Sequence, residues 1–232
     1  MATTHYTELI ERAQSNIDDV GGDFLKTSEW LYHANAEIKK LNVKLVRGGF
    51  PPSVTSETIT ANGSAQYNID QPMAVIAMYE IIGDTYYRVP IKPKWKQHKV
   101  VTGTHPVECY AFPNTSIGKL SFSFYPNPTS GTFVALIVPT PDKLVSTTPA
   151  VGESQYVTLP FGWEERIVLG MSQRALSKEE TISPSLNSEI AAIDEMIDFH
   201  VHDYLLRQAN TADDYNKEGP TEYINYSEWY YV

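Results

Sequence analysis

Cysteine is almost absent from this sequence. Cys109 is the only one in 232 residues, so no intramolecular disulfide can form. The N-terminus lacks the basic start and continuous apolar core of a secretory signal, and the longest apolar run, from Met73 to Tyr79, is much shorter than a membrane span. These absences predict a protein that folds in a reducing cytoplasm and does not enter a membrane.

Motifs that hold cofactors or activate nucleophiles are also missing, because there is no Walker loop, no dinucleotide fingerprint and no Gly-x-Ser-x-Gly elbow. His200 and His202 precede Asp203, but residues two apart on a helix point in different directions and cannot share a metal ion. A second candidate group lacks the spacing of a zinc site: His98, His105, Glu108 and Cys109. We predict no catalytic residue, no cofactor and no metal.

Basic residues are scarce in the last quarter of the chain. Residues 1–178 carry 16 acidic and 16 basic side chains, whereas residues 179–232 carry 12 acidic and 2 basic ones. The whole net charge of −10 therefore lies in the C-terminal segment. Because phosphate contacts need Lys or Arg, this segment is not expected to bind nucleic acid.

Hydrophobic periodicity predicts helices at both ends of the chain. Apolar residues from Tyr6 to Ile17 recur in steps of three and four, and a second helix follows with Thr27 or Ser28 as its N-cap. Near the other end, a helix is predicted to begin at Pro160, and a longer amphipathic helix buries the face from Leu186 to Tyr204.

Between the helices, short β-rich runs alternate with turn residues. The runs 119–125 and 132–138, joined by a turn rich in proline and glycine, predict a β-hairpin. The fold class predicted is α+β, with a helical bundle from both chain ends, an inserted antiparallel β-sandwich or small barrel, and an extended C-terminal tail. The predicted bounds are 1–50 for a helical hairpin, 51–159 for the β domain, 160–210 for helices packing with 1–50, and 211–232 for the tail.

A basic segment lies within the β region. It carries five positive charges, one tryptophan and no acidic residue: Arg88, Lys92, Lys94, Trp95, Lys96 and Lys99. Such a segment fits contact with DNA phosphates, contact with an acidic partner such as the C-terminal segment of another copy, or a solvated loop. We favour the acidic partner over DNA.

The tail from Thr211 is rich in aromatic residues: Tyr215, Tyr223, Tyr226, Trp229, Tyr230 and Tyr231. Disordered tails are usually poor in aromatics, so these rings predict burial against a surface. Ring burial alone does not offset the entropy of ordering the backbone. We expect the tail to order by docking on neighbouring subunits; the alternative is that it folds back on its own domain.

Three segments together resemble the head-to-tail adaptors of tailed bacteriophages, which are also called connector or neck proteins. They are Ser28-Glu-Trp-Leu31, Ser123-Phe-Tyr-Pro-Asn-Pro-Thr-Ser-Gly131, and Leu159 through Leu176 leading into a long acidic helix. The resemblance implies a structural virion protein at the neck, assembled in the host cytoplasm as a ring of about twelve copies. It also implies contact with the portal protein and with tail tube or nozzle proteins, while DNA passes without sequence-specific binding.

Two other function classes remain open. A β-sandwich binding module, of the kind that recognises a receptor or carbohydrate in tail fibres, predicts exposed aromatic rings clustered on the β domain. An enzyme such as a hydrolase requires His, Asp or Cys side chains that converge in a pocket. We favour the adaptor, because it accounts for cytoplasmic folding, missing catalytic motifs and a terminal segment rich in aromatics that are typical of interfaces.

Overall fold

The chain divides into two compact units in a computed structural model that describes residues 2–19, 24–93, 102–106, 108–160, 162–178, 183–215 and 230–231. Unit 1 combines Met1–Pro52 with Pro141–Thr221, and unit 2 combines Ser53–Thr140 with Glu222–Val232. The β-rich unit therefore ends near residue 140, whereas the sequence places its end at 159.

Helices dominate unit 1. Their bounds are α1, Tyr6–Ser15; α2, Thr27–Arg47; α3, Glu164–Lys178; and α4, Pro184–Tyr215. The predicted N-cap of α2 is wrong, because Lys26 is the cap and its backbone N–H donates to the Glu29 carboxylate at 3.1 Å. No described helix combines the length and the hydropathy needed to cross a membrane.

One hydrophobic cluster holds all four helices of unit 1 together. Trp30 of α2 and Trp163, just before α3, are fully buried in it, and Ile197 brings in α4. The segment 141–159 joins this cluster, since Asn35 exchanges two hydrogen bonds with the backbone of Leu144, at 2.7 and 3.0 Å. These contacts explain why 141–159 packs with the helices.

The strands vary in length from two to nine residues. Their bounds are β1, Ala2–His5; β2, Thr55–Ala61; β3, Tyr67–Asp70; β4, Ala74–Ile82; β5, Thr85–Arg88; β6, Ile91–Pro93; β7, Thr102–Gly103; β8, Glu108–Asn114; β9, Lys119–Tyr125; β10, Asn127–Pro128; β11, Gly131–Val138; β12, Lys143–Leu144; β13, Glu153–Ser154; β14, Tyr156–Leu159; and β15, Tyr230–Tyr231. In unit 1, β1 pairs antiparallel with β14 and β12 pairs parallel with β13.

Two larger sheets form unit 2. The first has the order β15-β4-β11-β2, with β5 also paired to β4, and the second has the order β3-β9-β8-β6. All of these pairings are antiparallel except the one between β6 and β8. One hydrophobic cluster contains residues of both sheets, and the rings of Phe124 and Phe133 meet across it with centroids 4.4 Å apart. None of the sheets among the described residues closes into a barrel, so the structure is α+β with mostly antiparallel sheets.

The predicted hairpin between the runs 119–125 and 132–138 is wrong. Strand β9 pairs with β3 and β8 in one sheet, whereas β11 pairs with β2 and β4 in the other. The connecting segment contains Pro126 and Pro128, which lack the N–H groups that a tight hairpin ladder needs. The chain therefore crosses from one sheet to the other at this point.

Candidate assembly interface

The aromatic residues of the predicted tail are spread over different parts of the chain. Helix α4 continues to Tyr215, past the predicted start of the tail at Thr211. Tyr230 and Tyr231 form β15. The remaining three lie outside the described residues: Tyr223, Tyr226 and Trp229.

Strand β15 lies on one edge of β4 in its own chain. Tyr230 is in register with Val75 and Tyr231 with Ala74. The other edge of β4 is occupied by β11, and β5 covers the C-terminal half of the first edge at Tyr79–Ile82. The C-terminal strand therefore covers a part of the β4 edge that β5 leaves open, where backbone N–H and C=O groups would otherwise lack strand partners.

The basic segment starts on the same sheet. Arg88 ends β5 and is half-buried in register with Tyr79 of β4. Lys92 is exposed on β6 in the second sheet. The other four residues predicted for this segment lie outside the described residues: Lys94, Trp95, Lys96 and Lys99. Docking of the tail on the basic segment of another copy stays a prediction.

A network of charged side chains joins three helices inside unit 1. Arg166 of α3 donates from Nη1 to Glu37 Oε2 of α2 at 3.0 Å and from Nε to Asp194 Oδ1 of α4 at 3.1 Å. Arg174 donates to the other oxygen of Glu37 at 2.5 Å, and Lys44 Nζ lies 3.1 Å from Asp194 Oδ1. Glu37 and Arg166 are only 4% and 5% exposed, so each charge depends on its partners for stabilisation.

The sequence contains a signal for this network in the apolar stripe of α2. Glu37 lies three residues after Ala34 and four before Leu41, so it interrupts the apolar stripe of α2 with a carboxylate. A glutamate on a buried face needs a cation from another element, and Arg166 supplies it from 129 positions away. Gly170 leaves room for this carboxylate, because a Cβ there would lie 2.7 Å from Cγ of Glu37. The network fixes how α2, α3 and α4 pack.

Exposed large apolar side chains occur in both units, and the most exposed aromatic rings lie on α2, α4 and β5. Tyr32 on α2 is 70% exposed, and Phe199 on α4 is 68% exposed. In unit 2, Tyr86 and Tyr87 are exposed on β5, close to the turn at Gly83 that connects β4 to β5. Exposed aromatic rings mark a binding surface where they form a contiguous apolar patch, whereas single exposed rings are common on protein surfaces.

The described histidines and the cysteine do not converge, and His98 of the predicted group lies outside the described residues. Cys109 is fully buried in the core of unit 2, where burial and then Glu108 raise the pKa of its thiol. His105 bonds to Glu80 instead, with 2.8 Å between Nδ1 and Oε1. On α4, His200 stacks on Trp163 while His202 is exposed. Within the part of the chain that the structure describes, no three His, Cys, Asp or Glu side chains are placed to hold a metal ion.

No protein-family model matches this chain, and no curated protein matches it either. Function is therefore inferred from its own residues and surfaces. The surfaces that stand out are the outer sides of α2 and α4, the β4–β5 hairpin, and the edge of β4 that carries β15.

Proposed function

We propose that this chain is a structural subunit of the bacteriophage neck, where copies of it form a ring that connects the portal to the tail and lets DNA pass. In this proposal the protein performs no catalytic step. The virion neck is its place of action, and the portal and the tail tube or nozzle proteins are its neighbours.

The observation that carries the proposal is the order of units along the chain. A helical unit combines residues 1–52 with 141–221, and a β unit that comprises 53–140 and the last residues, 222–232, is inserted between its two parts and completed at the chain end. We take the finer arrangement to be a helical bundle with an inserted β-sandwich. In support of it, Trp30 of the Ser28–Leu31 segment and Ile167 of the Leu159–Leu176 segment lie in the same core.

The C-terminal segment supplies the docking element in this proposal. Strand β15 shows that the last residues can add to a sheet edge through main-chain hydrogen bonds. The same strand addition offers a way for the segment to bind a neighbouring protein that presents an open edge. Because α4 continues to Tyr215, the docking segment is placed at 216–232.

Co-sedimentation with the portal protein of the same phage tests the proposal. The full-length chain should sediment with the portal, and a chain ending at Tyr215 should remain in the supernatant while keeping the helical circular dichroism of unit 1. Full-length protein that never sediments with the portal would contradict the adaptor function. A truncated chain that still binds would contradict the role of the C-terminal segment.

A second candidate function is a binding module for a receptor or carbohydrate, and the β4–β5 hairpin favours it. Tyr86 and Tyr87 are 60% and 52% exposed, and Ile82 is also exposed on the same hairpin. Rings with an apolar face and a polar tip suit such recognition. Binding to a glycan array that disappears in Tyr86→Ala/Tyr87→Ala, with portal binding absent in both proteins, would favour this function over the adaptor.

A further inference from the structure

The outer side of α4 carries an apolar stripe that none of the described residues covers. Along this side, Ala192, Met196, Phe199, Asp203 and Leu206 recur in steps of four and three, and Glu195 lies beside Met196. We call these six residues the α4 outer face. Phe199 is 68% exposed and Leu206 is 50% exposed. The inner side of the same helix contains Ile197 and Val201, which are buried in the core of unit 1. A helix that is apolar on both sides has a second surface to bury.

The charge on the α4 outer face is acidic. Among the described residues, Glu195 forms no ion pair, and Asp203 pairs with Arg207 one turn away, at 2.8 Å. Glu189 is exposed one turn before the apolar stripe begins. A partner for this face therefore needs apolar side chains together with positive charge.

Helix α2 presents these properties on its own outer side. Its exposed and half-buried residues recur with the same spacing, and we call this set the α2 outer face: Tyr32, Ala36, Lys39, Lys40, Val43 and Arg47. Its three cations are exposed and form no ion pair with the described residues. Lys44 does form an ion pair, but it points to the other side of the helix, where it bonds to Asp194. The α2 outer face is thus basic and apolar where the α4 outer face is acidic and apolar.

The two faces match in length as well as in charge. At ~1.5 Å per residue, Tyr32 to Arg47 spans about 22 Å and Ala192 to Leu206 about 21 Å. Within one copy the two outer faces do not meet. Both faces are exposed, and α3 packs against the inner sides of α2 and α4. Between copies, each subunit offers one face of each kind, which is what a head-to-tail ring requires.

We propose that the α4 outer face of one copy packs against the α2 outer face of the next copy, with the two helices antiparallel. This inference rests on the ring proposed above and names part of its interface. The antiparallel direction, in the register that sets Val43 opposite Met196, places Tyr32 beside Leu206 and Arg47 within one helical turn of Glu195, and it aligns the helix dipoles favourably. A strip about 21 by ~10 Å is well below the ~800 Å² per partner of a stable pair, so the contact is weak unless the ring closes.

Cysteine cross-linking captures such a weak contact, and this chain is suited to it because Cys109 is fully buried. The variant Val43→Cys/Met196→Cys places one thiol on each face at matching positions of the antiparallel pair. Under mild oxidation it should give a ladder of covalent oligomers. The two single variants should each stay monomeric, and their equimolar mixture should give dimers only, since each copy then carries one thiol.

Two further variants make the test specific. Ala36→Cys/Met196→Cys, whose thiols would meet only in a parallel pair, should give no ladder. Adding Arg47→Glu to the Val43→Cys/Met196→Cys variant should remove most of its ladder. Absence of a ladder from Val43→Cys/Met196→Cys, a ladder from Ala36→Cys/Met196→Cys, or dimers from either single variant would overturn the inference.

The outcome separates this inference from the proposed function. Rings seen by electron microscopy without the expected cross-link would leave the adaptor function standing and reject this interface. The expected cross-links in a protein that never binds a portal would support the interface and reject the adaptor.

Discussion

Glu37 and Gly170 form one structural unit, because the carboxylate of the first fills the space where the second has no side chain. Glu37 accepts from both Arg166 and Arg174 while it lies against α3 at Gly170. The glycine thus allows a close approach of two helices at the cost of helix propensity. The charged network and the missing side chain are two parts of the same contact.

Substitution of this glycine should therefore have opposite effects in two backgrounds. Gly170→Ala should destabilise the wild-type protein by about 1–3 kcal/mol, because the new methyl group displaces Glu37 from its arginines. In a Glu37→Ala background the same substitution should stabilise by about 0.5–1 kcal/mol, because the space is vacant and alanine favours the helix. Urea unfolding of the four proteins measures both effects. Equal effects in both backgrounds would contradict the contact.

His33 introduces a pH dependence into unit 1. Burial, and then the nearby charge of Arg174, lower the pKa of this histidine below its ordinary value of 6.5. As pH falls below 6.5, the unfolded chain binds a proton that the folded chain resists, so the free energy of unfolding decreases.

The variant His33→Gln should remove this part of the pH dependence. Between about pH 8 and about pH 5.5 the wild-type protein should lose more of its free energy of unfolding than the variant does. Urea denaturation at both pH values gives the comparison, and the high-pH values report any loss of packing separately. A larger loss in the variant would contradict the lowered pKa.

At the scale of elements, hydrophobic periodicity was sufficient to predict individual helices and strands. It was not sufficient to predict which strands pair with each other. The stripe from Leu186 to Val201 predicts α4, and the alternation in Lys119–Tyr125 predicts β9, because each pattern is contained in a single element. The partners of β9 and β11 lie in two sheets, which depends on contacts far apart in sequence. Two-residue strands such as β10 are too short to show any period.

The candidate interface, too, could be predicted from the sequence only in part. The aromatic composition of the C-terminal segment indicates a role in packing, and Tyr230 and Tyr231 do form a strand. The edge that receives them could not be identified, because nothing in the sequence of β4 marks which of its edges β5 leaves partly open. The outer faces of α2 and α4 also follow from periodicity only once the buried sides of both helices are known.

Removal of β15 should loosen one defined stretch of β4. In a chain ending at Trp229, the N–H group of Ala74 or Val75 that faces β15 loses its partner. Its amide exchange should increase roughly tenfold, which corresponds to a hydrogen bond of ~1.4 kcal/mol. Hydrogen exchange measured on peptides covers both this stretch and Tyr79–Ile82, where β5 remains paired and serves as an internal control. Unchanged exchange at Ala74 and Val75 would contradict the strand addition.

At the scale of the whole molecule, opposite charges are separated between two helices that both expose apolar side chains. The acidic excess lies in residues 179–232, and much of it is on α4, while the outer side of α2 carries cations that form no ion pair with the described residues. Such separation within one chain favours association of copies, and it makes the association sensitive to salt. A ring of identical subunits uses both surfaces of every copy.

Electron microscopy of the purified chain, alone and mixed with the portal protein of the same phage, tests the central claim most directly. The proposed function predicts closed rings, of about twelve copies by analogy with the adaptors it resembles, seated on the portal with an open centre wide enough for a DNA duplex of ~20 Å. Particles that remain monomeric in both samples would contradict it.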